Sequence, residues 1–159
     1  MKKTKTKGYY SQVEVVLKRR RRMSPFDVSI ESPVDAGKFF AHVLASKDRE
    51  VLGVIGLDAK RNINYFEVVH VGTLSQSMIH PREIMKASIL TNSHSIIMAH
   101  NHPSGDVTPS FADRKATEKM MEVGSLMGIE VIDHIIIAED KYYSIKENKM
   151  TYLEEQTHD

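Results

Sequence analysis

The sequence has no cysteine among its 159 residues, and this absence narrows the chemistry open to the protein. Disulfide bonds and thiolate metal ligands are both excluded. Long apolar runs are also lacking, and none approaches the ~18 residues of a membrane span. The stretch from Tyr9 to Leu17 is interrupted by polar residues, which makes it a poor core for a signal peptide. We therefore expect a cytoplasmic protein with no membrane partner.

The overall composition, with 41% hydrophobic and 27% charged residues, is typical of one globular domain with a proper core. The charge, however, is distributed unevenly. Residues 1–22 carry nine Lys or Arg against one acidic residue, and the rest of the chain carries 13 basic and 20 acidic residues, so the two parts have net charges of +8 and −7. The basic end could bind nucleic acid by neutralising phosphates, or it could be a solvated tail.

Hydrophobic periodicity and turn residues predict the helices and strands of the chain. Ser32 and Pro33 open the first helix, where Asp35 completes a capping box, and Gly128 ends the third helix at about Met127. The other two helices are expected to begin near residues 80 and 109. Strands are expected at 10–17, 26–30, 51–58, 63–71, 95–99, 129–138 and 142–145.

This order of elements predicts an α/β fold of the α+β kind, in which a mixed sheet is flanked by helices. We divide the chain into a basic N-terminal segment with short strands (1–31), one domain (32–148) and a polar, frayed C-terminal tail (149–159).

The residues from His100 to Asp113 are the most informative part of the chain. Two imidazoles lie two residues apart, a carboxylate follows eleven residues later, and Pro, Gly and Ser between them favour a tight loop. Three such ligands with one open coordination position are what a catalytic zinc ion needs. Taken alone, His100 and His102 could merely flank a turn, and Ser110 with Asp113 could be a capping box. Asp113 could also do both jobs with different oxygens.

The spacing H-x-H-x7-S-x2-D is the JAMM signature of the JAB/MPN metalloprotease superfamily, and His100, His102, Ser110 and Asp113 match it at every position. The fuller string HNHPSGD…PS…D resembles the RadC-like branch of that superfamily. The stretches at 80–83, 128–134 and 143–147 are similar to it as well. The resemblance covers residues 33–148 and implies a JAB/MPN domain with a cytidine-deaminase-like architecture.

The resemblance implies a zinc-dependent metallohydrolase, a peptidase or isopeptidase that cleaves an amide bond with metal-activated water. Zinc would be held by His100, His102 and Asp113, and would lower the pKa of its water toward ~7. The Ser110 hydroxyl would help to hold the developing oxyanion. The substrate would be a peptide or an isopeptide-linked protein.

The general base of the family matches Glu50, which directly precedes the strand at 51–58. It would take a proton from the water and pass it to the leaving group. From the residues alone, Glu50 could equally be a solvated member of the charged run at 47–50. Glu83 competes for the role, but its place in the first turn of a helix is explained by the helix dipole.

Three further polar residues are open to interpretation. Asn101 lies between the histidines and could orient substrate or a loop carbonyl, or simply form a turn. Asp106 is interpreted as structural. His134 could support a metal ligand, but we favour a core histidine whose hydrogen bonds are satisfied within the core.

A second function class is a DNA-associated accessory protein with a non-catalytic metal site, because RadC-like proteins carry a DNA-repair label. It would use the basic residues 1–22 to bind nucleic acid. Longer RadC-like proteins have a helix-hairpin-helix segment before the JAB domain, whereas residues 1–31 here are predicted as short strands. The oligomeric state is left open by the sequence.

Overall fold

A computed structural model of the protein describes residues 29–72 and 80–153. The basic residues 1–22 and the strand predicted at 10–17 lie outside the described residues. Of the strand predicted at 26–30, Ser29 forms an isolated antiparallel bridge with Asn62. The elements are α1 (Pro33–Leu44), β1 (Val51–Leu57), β2 (Ile63–Val71), α2 (Pro81–Leu90), β3 (Ser95–Asn101), α3 (Phe111–Met127), β4 (Glu130–Ile137), β5 (Lys141–Ser144) and β6 (Lys149–Tyr152).

The six described strands form one mixed sheet in the order β2-β1-β3-β4-β5-β6. Only β3 and β4 pair in parallel, and α3 provides the crossover between them. The other neighbours pair antiparallel. The predicted fold class, a mixed sheet flanked by helices, is therefore confirmed.

Helices cover both faces of the sheet, which explains why every residue of β1 and β3 is buried. On one face, Phe40 and Leu44 of α1 pack on alternate residues of the central strands. On the other face, Ile84 of α2 and Met120 of α3 pack on the remaining residues. Burying a side chain of this size contributes about 1.5–3 kcal/mol, so the two-sided core fixes the positions of both central strands.

The predicted helix boundaries follow from local chemistry. The Ser32 hydroxyl accepts a hydrogen bond from the Asp35 amide, and the Asp35 carboxylate accepts one from the Ser32 amide. Gly128 ends α3 with a φ of 69°, a left-handed conformation that glycine adopts without strain. No helix in the described parts of the chain is both long and apolar enough to cross a membrane.

Two predicted boundaries were wrong. Strand β3 does not end at Ala99 but continues through Asn101, because its parallel pairing with β4 runs to Ile137. Of the tail predicted to fray after Asn148, residues 149–152 instead form β6, which pairs antiparallel with β5, and residues 154–159 lie outside the described residues. Asn148 adopts a φ of 52°, which the turn between these strands requires and asparagine tolerates. A polar edge strand carries little hydrophobic signal, and periodicity therefore missed it.

Candidate metal centre

The site lies at the C-terminal end of β3, beside the first turn of α3. His100 is the second-last residue of β3, and His102 is the first residue after the strand. The chain then turns sharply at Gly105, whose φ is 81° and whose amide donates to the His102 carbonyl. Val107 anchors the loop against β4 before α3 begins and presents Asp113. The fold thus brings all three predicted ligands together.

The ligand atoms have the separations that a metal ion requires. The Nε2 atoms of His100 and His102 are 3.0 Å apart, and His100 Nε2 lies 3.3 Å from Asp113 Oδ1. All three residues offer ligand atoms within 4.8 Å of one another. Tetrahedral bonds of about 2.0–2.1 Å to a central zinc would place ligand atoms ~3.3 Å apart. The two separations from His100 Nε2, 3.0 and 3.3 Å, are close to this value.

A chain of hydrogen bonds sets the protonation of His100. The Thr117 hydroxyl donates its one proton to the Asp113 carbonyl at 2.7 Å, so it must accept from His134 Nδ1, also at 2.7 Å. His134 Nε2 is then an acceptor and receives the Nδ1–H of His100 at 2.8 Å. This leaves His100 Nε2 unprotonated, with its lone pair directed at the other two ligands.

His102 has the same tautomer for a different reason. Its Nδ1 lies 2.5 Å from the Asp106 carbonyl oxygen and can only donate to it, so in the neutral ring the lone pair is on Nε2. The facing Nε2 lone pairs of His100 and His102 repel each other unless a cation lies between them. The donor set therefore fits a divalent metal, which neutral imidazole and ionised carboxylate bind.

Burial reinforces the neutral form of these imidazoles. Loss of solvent, together with the neighbouring His134 and His102, lowers the pKa of His100 well below 6.5. Burial likewise lowers the pKa of His134 to about 4. Both rings are neutral at physiological pH, the state that metal ligation needs.

Asp113 serves as a cap and as a candidate ligand at once. Its Oδ2 accepts from the Ser110 amide at 2.7 Å and from the Ser110 hydroxyl at 2.6 Å. Its Oδ1 is directed at His100. The capping box and the ligand geometry, which were alternatives in the sequence, coexist because they use different oxygens.

His102, Ser110 and Asp113 line a cleft of ≈ 390 Å³, and Glu50 lies on the same cleft. Glu83 does not line it: it lies in the exposed first turn of α2, paired with Lys86 at 2.9 Å. Ser110 is at the rim, with its hydroxyl proton engaged by Asp113. The geometry thus favours Glu50 over Glu83, while the catalytic roles of Glu50 and Ser110 stay predictions. The lining residues are Glu50, His102, Pro103, Ser104, Asp106, Thr108, Ser110 and Asp113.

Four residues support the site. Both interpretations of His134 hold together, because its ring is buried with both nitrogens hydrogen-bonded and one of these bonds joins it to His100. Thr117 was missed, although it lies one helical turn after Asp113, where side chains share a face. Asn101 does not form a turn but hydrogen-bonds loop carbonyls, as one of its alternatives held. Asp106 contributes its backbone carbonyl to His102, a role that side-chain patterns do not reveal.

The chain is similar to known proteins over most of its length. The model of the RadC-like JAB domain matches residues 30–150. A UPF0758 protein of Staphylococcus carnosus is 46% identical over 120 residues, which cover 76% of this chain and 53% of that protein. A UPF0758 protein of Methanosarcina barkeri is 40% identical over 145 residues, or 89% of this chain and 63% of that protein.

A UPF0758 protein of Rubrobacter xylanophilus is 43% identical over 121 residues, which again cover 76% of this chain and 53% of the relative. The chain thus spans between 53% and 63% of the length of these curated relatives. The matched region contains the whole candidate metal centre and every described strand except the last two residues of β6. The chain belongs to the RadC-like JAB domain family.

Proposed function

We propose that the protein is a zinc-dependent hydrolase that cleaves a peptide or isopeptide bond. The observation that carries this proposal is the convergence of two imidazole nitrogens and one carboxylate oxygen beside a cleft that His102, Asp113 and Glu50 line. Two nitrogens and one oxygen suit zinc better than magnesium or calcium, which prefer oxygen ligands. Three protein ligands are the number found in catalytic zinc sites.

Bound at this site, zinc would supply Lewis acidity that polarises a carbonyl and eases the ionisation of water. In the proposal, the Glu50 carboxylate takes a proton from the attacking water and later delivers it to the leaving amine. The Ser110 hydroxyl, at the rim of the cleft, turns from Asp113 toward the developing oxyanion. The hydrogen bond from His100 to neutral His134 holds the His100 ring in place throughout.

The first test is metal content, measured on protein purified without added metal. We expect about one zinc per chain, and none in the double variant His100→Ala/His102→Ala.

The second test is proteolysis: the zinc-loaded protein is incubated with a proteome-derived peptide library and with peptides joined through a lysine ε-amine. New termini are identified by mass spectrometry, with Glu50→Gln as the matched inactive control.

We expect cleavage products that the Glu50→Gln variant does not produce. Stoichiometric zinc together with identical product lists for the two proteins would contradict the hydrolase proposal.

The nucleic-acid hypothesis rests on residues 1–22, which lie outside the described residues, and it stays a prediction. Salt-sensitive DNA binding that disappears when residues 1–22 are deleted would support it.

A further inference from the structure

We propose that Asn101 is a positioning residue that fixes the Glu50 carboxylate relative to the metal ligands. This inference rests on the proposed function, in which Glu50 acts on the attacking water. Asn101 lies between the two histidines, and its side chain reaches the segment that carries Glu50.

The side chain of Asn101 reaches a segment fifty residues earlier in the chain. Its Oδ1 accepts a hydrogen bond from the Val51 amide at 2.8 Å. Its Nδ2 donates to the carbonyls of Arg49 at 3.0 Å and Lys47 at 3.2 Å. Asn101 is 1% exposed, so these backbone groups take the place of water for the whole amide.

Two of these bonds act directly on Glu50. The Arg49 carbonyl belongs to the peptide unit that precedes the Glu50 Cα, and the Val51 amide belongs to the unit that follows it. Because each peptide unit is planar, holding both of them restricts φ and ψ of Glu50 and hence the direction of its Cα–Cβ bond. The Glu50 carbonyl is held separately by the Gly72 amide at 2.8 Å.

The same strand thus orients both partners of the proposed chemistry. Side chains alternate along β3, so His100 points to the α3 face and Asn101 points to the α1 face. Leu52 of β1 pairs with His100 of β3. One residue earlier, the Val51 amide donates to the side chain of Asn101 and not to a backbone carbonyl of β3. Any shift of β3 therefore moves the ligands and Glu50 together.

Both the acceptor and the donor of the amide are needed, and this dictates the variants. Asn101→Asp keeps an acceptor for Val51 but loses both donations, and Asn101→Ala loses all three bonds. Asn62→Ala is the matched control. Asn62 also hydrogen-bonds a turn, through Asp58 at 3.0 Å, but at the opposite end of β1 from Glu50.

Amide hydrogen exchange and zinc content test the inference without any activity. We expect Asn101→Ala to retain one zinc per chain and to exchange the Val51 amide at least ~10-fold faster, with the amides of residues 53–56 unchanged. A crystal structure of the variant should show Glu50 displaced by ~1 Å or more. Unchanged exchange at Val51, or an unmoved Glu50, would overturn the inference whatever the fate of the hydrolase proposal.

Kinetics on a cleaved peptide then separate positioning from general stability. We expect Asn101→Ala to lower kcat by about 10- to 100-fold with KM little changed, since misplacement of a reacting group by ~1 Å costs up to about 10² in rate. Asn101→Asp should fall between Ala and wild type, and Asn62→Ala should keep the wild-type kcat.

An equal loss of kcat in Asn62→Ala would show that Asn101 acts other than through Glu50. If instead the wild type and Glu50→Gln cleave equally, the hydrolase proposal fails, and the exchange and crystallographic results still decide whether Asn101 fixes Glu50.

Discussion

Helices α1 and α3 begin with the same four-residue pattern, Ser-x-x-Asp, and with the same capping box. In α1 the Ser32 amide and hydroxyl each lie 2.8 Å from Asp35 Oδ2. In α3 the Ser110 amide and hydroxyl lie 2.7 and 2.6 Å from Asp113 Oδ2. The two helix starts are therefore nearly identical in their local hydrogen bonding.

Their surroundings differ. Asp35 is half-buried and its Oδ2 caps the start of α1, whereas Asp113 is 4% exposed and directs its second oxygen at His100. The comparison teaches that the Ser-x-x-Asp pattern specifies only the beginning of a helix. The candidate chemistry arises because the imidazole Nε2 atoms of His100 in β3 and of His102 just after it lie beside one of two equivalent caps.

The sharpest way to break this equivalence is to remove each aspartate in turn. We expect Asp113→Ala to reduce zinc from about one per chain to none, and Asp35→Ala to leave zinc unchanged. Each apoprotein should lose about 1 kcal/mol of stability, because each variant removes one half of a capping box. Elemental analysis and urea unfolding provide the two readouts. Retention of full zinc by Asp113→Ala would remove Asp113 from the ligand set.

The sequence was sufficient to predict features that depend on neighbours in the chain. Pro33 and Gly128 mark helix ends by their own backbone preferences, and the spacing of His100, His102 and Asp113 marked as candidate ligands three residues that the fold brings together. Such signals depend on spacings of a few residues, so they do not require knowledge of the tertiary fold.

The supporting residues could not be predicted in the same way. The contact of His134 with His100 depends on the parallel pairing of β3 and β4, and the contact of Asn101 with Val51 joins residues fifty positions apart. Nothing local in the sequence specifies either pairing. The role of Asp106 was hidden for another reason, because it uses a backbone carbonyl that every residue possesses.

The next largest effect is expected from the hydrogen-bond chain behind His100. Thr117→Val removes the acceptor for His134 Nδ1 and frees the His134 tautomer. We expect zinc affinity to fall about 10- to 100-fold, and the apoprotein to lose about 1–3 kcal/mol, because a buried donor is left without a partner. Competition with a zinc chelator measures the first quantity and urea unfolding the second.

Thr91→Val is the matched control for that variant. Thr91 makes the same bond to the carbonyl four residues earlier, at 2.8 Å from Ala87, but lies at the end of α2. It should lose stability and leave zinc affinity unchanged. Equal affinities for Thr117→Val and wild type would mean that the tautomer of His100 is held without this chain.

A smaller effect is expected from the two cap hydroxyls. Ser32→Ala and Ser110→Ala should each cost about 1 kcal/mol of apoprotein stability, because both remove an N-cap acceptor. Only Ser110→Ala should also weaken zinc binding, by about tenfold, since its hydroxyl orients a candidate ligand. Isothermal titration with zinc compares them. Equal zinc affinities in the two variants would show that the carboxylate of Asp113 keeps its position without Ser110.

The smallest effect is a pH dependence of the metal-free protein. Burial lowers the pKa of His100 and His134 in the folded chain, whereas in the unfolded chain both return to about 6.5. Below pH 6.5 the unfolded chain therefore binds protons that the folded chain does not, so the free energy of unfolding decreases as the pH falls. The loss continues until the pH reaches the folded values, which is about 4 for His134.

Between pH 7.5 and 6.5 this decrease should be less than about 1 kcal/mol, because each unfolded histidine goes only from about one tenth to about one half protonated. Urea unfolding of chelator-treated protein at closely spaced pH values measures it, and His134→Gln should reduce the slope by removing one of the two groups. A free energy of unfolding that rises on acidification through this range would mean that the folded chain accepts these protons. The facing Nε2 atoms would then share a proton stabilised by the Asp113 carboxylate, and the rings would not be in the neutral form that a metal requires.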